Sequence, residues 1–241
     1  MHLRARVDRY WLELAPKERV NRAYLPEFRD RWRAHFIPPR AKSLPPNAID
    51  LTLYYNGCLK QCIFATPNDS EATEYTWGNL PYGAVQLDGI PFDIRGVVHV
   101  TGKTVEVRTP NLLPKAVTNI VIGQKCQRIH FIHGTQWRDP IGTPVGRYRI
   151  SFADGTHETV VLEFGLDILS WWVGFNQVQG DLFRARRIAK GTNGLLQTDL
   201  WSLGLYMRTW QNPRPDVAIR SIDFESAMGE SAPFLAGLTV E

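Results

Sequence analysis

The clearest structural signal in the chain lies at residues 146–162, which read GRYRISFADGTHETVVL. Polar and apolar residues alternate on both sides of Asp154-Gly155, as they do in strands with one buried face. An Asp-Gly pair between two such runs is typical of a tight β-hairpin turn. The sequence therefore predicts an antiparallel β-hairpin at this point.

Further runs with the composition of β-strands occur on both sides of the hairpin. The predicted strands are 49–53, 91–100, 104–108, 129–134, 203–210, 217–224 and 234–240. Loops are predicted at 66–82 and 178–199. No helical segments alternate with the strands, so a parallel α/β sheet is not indicated. The pattern predicts an all-β fold, an antiparallel β-sandwich or jelly roll.

Residues 8–36 are the one region with a convincing helical pattern. An aromatic stripe recurs there at every fourth residue, on one face of the predicted helix. Its members are Tyr24, Phe28, Trp32 and Phe36. We expect this stripe to pack onto the rest of the protein. The helix should end before residues 38–39, because neither proline can continue it.

The chain is expected to divide into an arm and a domain. Residues 1–46 form the short basic helical arm and its Pro-rich link, and residues 47–241 form the β-sandwich. Residues 1–40 hold ten Lys and Arg against five Asp and Glu, whereas the other residues hold 18 against 19. The positive charge therefore belongs to the arm, and the sandwich is not expected to bind nucleic acid. The arm is either a solvated helix face or a contact for lipid head groups or a protein partner.

The sequence predicts no transmembrane segment. No stretch approaches the roughly 18 uncharged apolar residues that a membrane-spanning helix needs. The first residues run directly into Asp8, Arg9 and Glu13, so no signal-peptide core is visible. Cellular location stays open between the cytoplasm and export as part of a longer chain.

The three cysteines do not make a disulfide framework. Cys58 and Cys62 are four residues apart, and Cys126 stands alone in the sequence. The pair lacks a second pair of ligands at the spacing of a zinc site. We expect buried thiols, and a Cys58–Cys62 bridge is the alternative in an oxidising compartment.

No catalytic residue is predicted, because motifs for a nucleophile elbow, a phosphate-binding loop and a zinc protease are absent from the sequence. His130 and His133 lie three apart in one predicted strand, so their side chains should point to opposite faces. They are therefore not expected to share a metal ion. Cys126 and His130 would be roughly 13 Å apart along a strand, too far for a catalytic pair.

Carboxylates leave one enzymatic alternative, a polysaccharide hydrolase or lyase. Glycoside hydrolysis requires two carboxylates that face each other at about 5–9 Å. The candidates are Asp88, Asp93, Asp139, Asp167 and Asp223. None of them stands out from its sequence context.

Aromatic residues in predicted loops favour ligand binding. Their flat faces stack on sugar rings while polar neighbours hold the hydroxyl groups. The predicted ligand-binding residues are Trp77, Asn79, Tyr82, Trp137, Arg138, Asp139 and Trp172. If the segment is a strand, Trp171 and Trp172 cannot both face inward, so one of the two should be exposed or lie beneath a loop.

Several segments resemble a known family. They are Leu87–Gly96, Ile129–Gly134, Trp210–Asp216 with Ser221–Phe224, and Ala232–Leu235. Over residues 47–241 the chain resembles bacterial galactose-binding-like jelly-roll modules, of the kind attached to carbohydrate-active or cell-surface signalling proteins in planctomycete-type bacteria. The resemblance implies glycan binding at loops on one end, and a structural calcium ion in many members. These motifs mark the fold, so no ligand residue is carried over from the family.

The sequence leaves different classes of function open. The first is a non-catalytic carbohydrate-binding or cell-surface accessory module whose partner is a glycan or cell-surface polysaccharide. The alternative is a protein-interaction or sensor domain tethered through its basic arm, and the enzyme comes third. An exposed tryptophan platform beside polar loops would favour the first class. An apolar patch continuous with the aromatic stripe would favour the second, and two opposed carboxylates in a cleft would favour the third.

Overall fold

The computed structural model describes residues 26–59, 76–108, 110, 113–174, 181–194, 196 and 201–241. Two helices lie in these residues, α1 (Pro26–Phe36) and α2 (Lys103–Arg108). The strands there are β1 (Gly57–Cys58), β2 (Gly83–Leu87), β3 (Ile90–Ile94), β4 (Gly96–His99), β5 (Ala116–Gln124), β6 (Arg128–Gln136), β7 (Pro144–Phe152), β8 (His157–Glu163), β9 (Trp172–Gly174), β10 (Ala185–Gly191), β11 (Trp201–Gln211), β12 (Ile219–Ser226) and β13 (Ala232–Val240).

The strands form two main antiparallel sheets and a separate hairpin. The larger sheet has the order β1-β4-β13-β6-β11-β10, and β9 also pairs with β11. The smaller sheet has the order β5-β12-β7-β8, and β2 pairs with β3. The predicted all-β antiparallel sandwich is therefore confirmed.

The main core lies between the two sheets. Phe131 of the larger sheet stacks on Tyr148 of the smaller one, with ring centroids 4.1 Å apart. Phe224 packs on the same tyrosine at 5.0 Å. All three rings are fully buried. Rings in contact across the two sheets bury much apolar surface, so they hold the sheets together.

A second core covers the opposite face of the larger sheet. Trp77, Phe92 and Phe234 are buried there together with the outward-facing residues of β11. Every residue of β13 is buried as a result. A strand covered on both faces is apolar throughout, which explains why its sequence APFLAGLTV shows no alternation.

The hairpin predicted at 146–162 is confirmed as β7 and β8. The Phe152 N–H donates to the Thr156 carbonyl at 2.9 Å and closes a three-residue loop. Gly155 has a φ of 88°, the left-handed conformation that such a loop requires. Asp154 accepts a hydrogen bond from the Thr156 N–H at 3.0 Å, which fixes the turn.

The predicted strand at 49–53 is wrong. Residues 52–54 form a turn, because the Asp50 carboxylate accepts the Thr52 N–H at 2.9 Å. The Tyr54 N–H then donates to the Leu51 carbonyl at 2.9 Å. Leu51 is buried and Leu53 is exposed, so burial still alternates along the segment. Local hydrogen bonds of the turn take the place of hydrogen bonds to a neighbouring strand.

The predicted strand at 104–108 is also wrong, because these residues belong to helix α2. Val105 is buried whereas Val107 is 82% exposed, so only one of the two valines packs inward. The first N–H groups of α2 find distant partners, with Lys103 donating to the Gly229 carbonyl at 2.7 Å. A loop far away in the sequence thus accepts hydrogen bonds from N–H groups that have no partner within the first turn of the helix.

Two further predictions are corrected. The predicted strand at 91–100 is divided at Arg95 into β3 and β4, which lie in different sheets. The predicted loop at 178–199 contains β10, which carries Arg186, Arg187 and Lys190. Basic side chains suit this strand because it is at the edge of the larger sheet in the described residues.

Helix α1 packs onto the sandwich, as the aromatic stripe predicted. Trp32 contacts the main core, and the Arg33 guanidinium donates to the Tyr55 carbonyl at 3.0 Å. The helix ends at Phe36, just before the two prolines. Residues 1–25 and the side chain of Phe28 lie outside the described part of the chain, so the rest of the arm stays a prediction.

Candidate functional site

The segment that follows β6 carries Trp137 and Arg138. Trp137 is 36% exposed and has a φ of 64°, a conformation that bulky side chains rarely adopt. The Thr135 hydroxyl donates to the Trp137 carbonyl at 2.9 Å. The Thr135 carbonyl in turn accepts the Trp171 N–H at 3.0 Å. This hydrogen-bonded backbone holds the unusual conformation in place.

Two arginines and a second exposed tryptophan join this segment. The Arg108 guanidinium lies over the Trp137 ring, 4.3 Å from its centroid. The Arg138 guanidinium lies over the Trp201 ring at 5.6 Å. Arg138 Nη2 also donates to the Trp172 carbonyl at 3.4 Å. We call these five residues, Arg108, Trp137, Arg138, Trp172 and Trp201, the tryptophan–arginine surface.

The tryptophan–arginine surface rests on aromatic residues of the second core. Trp172 is half-buried and contacts Trp171 edge to face, with centroids 5.9 Å apart. Trp171 is buried and stacks on Trp77 at 6.5 Å, and Trp77 contacts Phe234 at 6.2 Å. Large packed rings do not change rotamer easily, so the surface has a rigid base.

Gly174 leaves the space in which the Trp201 ring lies. Trp201 pairs with Gly174 across β11 and β9, and it is 40% exposed. A Cβ atom on Gly174 would lie 2.8 Å from Cζ3 of the Trp201 ring. The indole therefore rests on bare backbone, and any larger residue at position 174 would displace it.

Asp139 has a structural role in this segment. Its two carboxylate oxygens accept the backbone N–H groups of Glu230 and Ser231, at 3.0 and 2.9 Å. These bonds tie the segment after Trp137 to the loop before β13. A ligand that bound Asp139, as predicted, would therefore compete with two backbone N–H groups for its carboxylate.

The arginines of this surface differ from those in the interior. Within the described residues, neither Arg108 nor Arg138 forms an ion pair with a carboxylate. Arg95 and Arg184, by contrast, pair with the fully buried Asp93 and Asp167. Burial lowers the pKa of Arg138 below its ordinary value, although the group stays charged at neutral pH. The surface therefore carries two positive charges that form no ion pair with a described carboxylate, beside exposed indole rings.

The other predicted site residues lie elsewhere. Trp77 is buried and its Nε1–H donates to the Pro81 carbonyl at 2.8 Å, so its ring is not a surface platform. Asn79 is exposed but accepts the Thr192 N–H at 2.7 Å. Tyr82 is half-buried against the second core, and burial raises its pKa. Trp171 is buried and Trp172 is half-buried, so only one of the two faces the interior, as predicted.

The two histidines of β6 point to opposite faces, as predicted. His133 is fully buried between the Tyr148 hydroxyl at 3.1 Å and the Asp167 carbonyl at 3.0 Å. Burial lowers its pKa to about 4, so its imidazole is neutral at pH 7. His130 contacts the Thr209 hydroxyl at 2.9 Å on the other face.

The described cysteines are buried, and the described residues contain no group of side chains that could hold a metal ion. Cys126 is a buried free thiol, and burial raises its pKa to about 11. Cys58 is buried with Sγ 3.5 Å from the Phe36 carbonyl, and Cys62 lies outside the described residues. No three His, Cys, Asp or Glu side chains group together in the described part of the chain. These residues therefore offer no side-chain cage that fits the calcium implied by the resemblance.

The carboxylates considered for hydrolysis are bound within the fold. Arg95 donates to Asp93 at 2.7 Å, and Arg184 donates to Asp167 at 2.6 Å. Burial raises the pKa of Asp167, but the hydrogen bonds from Arg184 and the Glu163 N–H bring it below its ordinary value. A general acid needs the opposite shift. The remaining candidates pair as Asp88 with Arg186, Asp139 with two backbone amides, and Asp223 with Arg149.

Sequence reasoning missed Arg108 and Trp201. Residues 104–108 were predicted to be a strand, and the strand predicted from residue 203 began after Trp201. Neither residue stands near the Trp137 segment in the sequence, and no local pattern links them to it. Their association with Trp137 and Arg138 follows from the tertiary structure.

No protein-family model and no curated protein matches this chain. None of the helices in the described residues is both long enough and apolar enough to span a lipid bilayer.

Proposed function

We propose that this protein is a non-catalytic carbohydrate-binding module that holds a glycan at the tryptophan–arginine surface. The observation that carries the proposal is the exposure of Trp137 and Trp201 beside Arg108 and Arg138. The indole surface that the two guanidinium groups leave exposed can pack against the C–H groups of a sugar ring, and guanidinium N–H groups can donate to its oxygens. The resemblance to galactose-binding-like modules supports the same function.

The organisation of the surface favours binding. The Trp137 carbonyl is held by Thr135, and Asp139 is held by two backbone amides. Trp172 rests on the packed rings of Trp171 and Trp77. A surface whose side chains are already positioned loses less entropy when a ligand binds.

The backbone of Trp137 supports a functional role for its side chain. A left-handed φ costs a bulky residue roughly 1–2 kcal/mol, and glycine or asparagine would remove most of that cost. Strain of this kind often occurs at binding sites. A selected function of the indole explains why tryptophan stands at this position.

The test is a glycan array and a polysaccharide pull-down with the purified chain, with and without calcium. Trp137→Ala should abolish the binding that the unmodified protein shows. Phe183→Ala is the matched control, because Phe183 is an 82% exposed aromatic residue near the other end of β11. This control variant should bind like the unmodified protein.

Two results would contradict the proposal. One is the absence of binding to any glycan, and the other is equal binding by the Trp137→Ala and Phe183→Ala variants. In either case the interaction-domain alternative becomes the leading hypothesis, and deletion of residues 1–25 would be its first test.

A further inference from the structure

We infer that the glycan bound at the tryptophan–arginine surface is acidic, with carboxylate or sulfate groups that Arg108 and Arg138 recognise. This inference rests on the proposed function and names its ligand class. A neutral glycan would engage the same indole rings but would leave both arginines without a counter-charge.

The two arginines of the surface form no ion pair with any carboxylate that the structure describes. Two other arginines have carboxylate partners, since Arg95 pairs with Asp93 at 2.7 Å and Arg208 with Asp167 at 3.0 Å. In the described part of the chain, Arg108 and Arg138 have none. Arg138 is also partly desolvated, and a desolvated cation gains more from a bound anion than a hydrated one does.

The donors of both arginines suit an oxyanion. A guanidinium group that lies over an indole ring can still present N–H groups to an oxyanion. Within the described ranges, the one side-chain hydrogen bond of Arg138 is a long bond of 3.4 Å from Nη2 to the Trp172 carbonyl. Among the described residues, Arg108 donates no side-chain hydrogen bond. Planar carboxylate and sulfate groups match this arrangement.

None of the five side chains of the tryptophan–arginine surface is a carboxylate. Sugar hydroxyls need acceptors as well as donors, and carboxylates commonly supply them. Asp139 follows directly after Arg138, but both of its oxygens already accept backbone N–H groups. The side chains of the tryptophan–arginine surface are donors or aromatic rings, so the surface as a whole favours a ligand rich in acceptors.

The test compares polygalacturonate, dextran sulfate and neutral dextran as probes. Arg108→Gln and Arg138→Gln should each weaken binding of an acidic probe by roughly tenfold, and the double variant should lose it. Polygalacturonate and dextran sulfate distinguish a carboxylate ligand from a sulfate ligand. Raising the salt concentration from about 50 mM to about 500 mM should weaken acidic binding as well.

Two controls separate the site from general electrostatic attraction. Arg220→Gln removes the same charge from an exposed position on β12, and it should leave binding unchanged. Polyglutamate is a polyanion without sugar rings, so it should bind weakly and should not respond to Trp137→Ala.

The test separates failure of the acidic-ligand inference from failure of the proposed function. Binding of neutral dextran that depends on Trp137 but not on the arginines would overturn the acidic ligand and leave the proposed function intact. Polyglutamate binding as strong as that of the acidic glycans, or an equal effect of Arg220→Gln, would also overturn it. The absence of binding to any polysaccharide would overturn both proposals.

Discussion

Trp137 adopts its left-handed backbone conformation while its ring remains substantially exposed. Its ring contact is the guanidinium of Arg108, and such a cation–π pair contributes about 0.5–1 kcal/mol at an exposed site. At the residue scale, an unfavourable backbone conformation and an exposed part of the indole therefore coincide at Trp137.

Replacement of Trp137 should reveal the backbone strain directly. We expect Trp137→Gly to be more stable than Trp137→Ala by about 1 kcal/mol, because glycine adopts a φ of 64° without a steric cost. The measurement is the free energy of unfolding in urea. At Trp201, which lies in an extended strand, the order should reverse and the alanine variant should be the more stable. The same order at both positions would contradict the strain.

His99 and His133 make folding stability depend on pH. Burial lowers the pKa of His99 to about 3 and that of His133 to about 4, against an ordinary value of 6.5. The unfolded chain therefore binds more protons between these values, so stability is complete above about pH 6.5 and falls as the pH decreases. Each histidine contributes on the order of 3 kcal/mol to this loss.

Unfolding in urea at several values between about pH 7 and pH 4 measures this dependence. We expect His133→Gln to flatten the slope, since glutamine does not titrate in this range. His157→Gln, at an exposed position on β8, should leave the slope unchanged. A slope that is the same in all three proteins would rule out His133 as a source.

At the scale of elements, an ion-pair network fastens the Pro-rich link to the sandwich. Arg95, between β3 and β4, donates to Asp93 at 2.7 Å and to the Pro38 carbonyl at 2.7 Å. Arg40 donates to the same aspartate at 3.0 Å and to the Ala48 carbonyl at 2.6 Å. Asp93 is fully buried, so its charge depends on these partners.

Removal of Arg95 should be far more costly than removal of a surface arginine. We expect Arg95→Met to lower the free energy of unfolding by about 3–5 kcal/mol, because Asp93 loses a buried partner. Arg147→Met breaks the exposed pair with Glu225 and should cost less than about 1 kcal/mol. Urea denaturation of both variants provides the comparison. Equal losses would show that the network does not anchor the link.

Local sequence patterns predicted some elements and failed for others. The hairpin of β7 and β8 was predicted correctly because its turn is closed by neighbouring residues. Residues 104–108 alternate like a strand, yet they belong to α2, whose first N–H groups, those of Lys103 and Thr104, donate to the Gly229 and Glu230 carbonyls. Such partners lie far away in the sequence, so an alternating pattern contains no information about them.

At the scale of the whole molecule, the larger sheet is the middle layer between two cores. Leu235 and Leu238 of β13 belong to the core between the sheets, and Phe234 and Ala236 belong to the second core. The same strand therefore contributes to both clusters. Loss of packing on one face should weaken the other face as well.

The two cores should unfold together. Phe131→Ala in the main core and Phe92→Ala in the second core should each lower the free energy of unfolding by about 3–5 kcal/mol. Both should shift a single transition, observed by tryptophan fluorescence and by far-ultraviolet circular dichroism. Phe183→Ala, at an exposed position, should change stability by less than about 0.5 kcal/mol. Two separate transitions would contradict the shared strand.

The sequence alone determined the class of the fold, the hairpin, the end of α1 and the opposite directions of His130 and His133. These features depend on strand periodicity, on proline geometry and on turn chemistry, all of which act between near neighbours. It also identified Trp137, Arg138 and Trp172 as candidates for ligand binding.

The tertiary structure decided which of the candidates form a surface. It buried Trp77, engaged Asp139 with two backbone amides, and brought Arg108 and Trp201 to Trp137 and Arg138. Pairing of β9 with β11 and docking of α2 beside the loop before β13 produce these contacts. Contacts of this kind depend on how strands pair and how sheets pack. Strand periodicity specifies which face of a strand a side chain is on, but it does not specify which residues of other elements that side chain contacts.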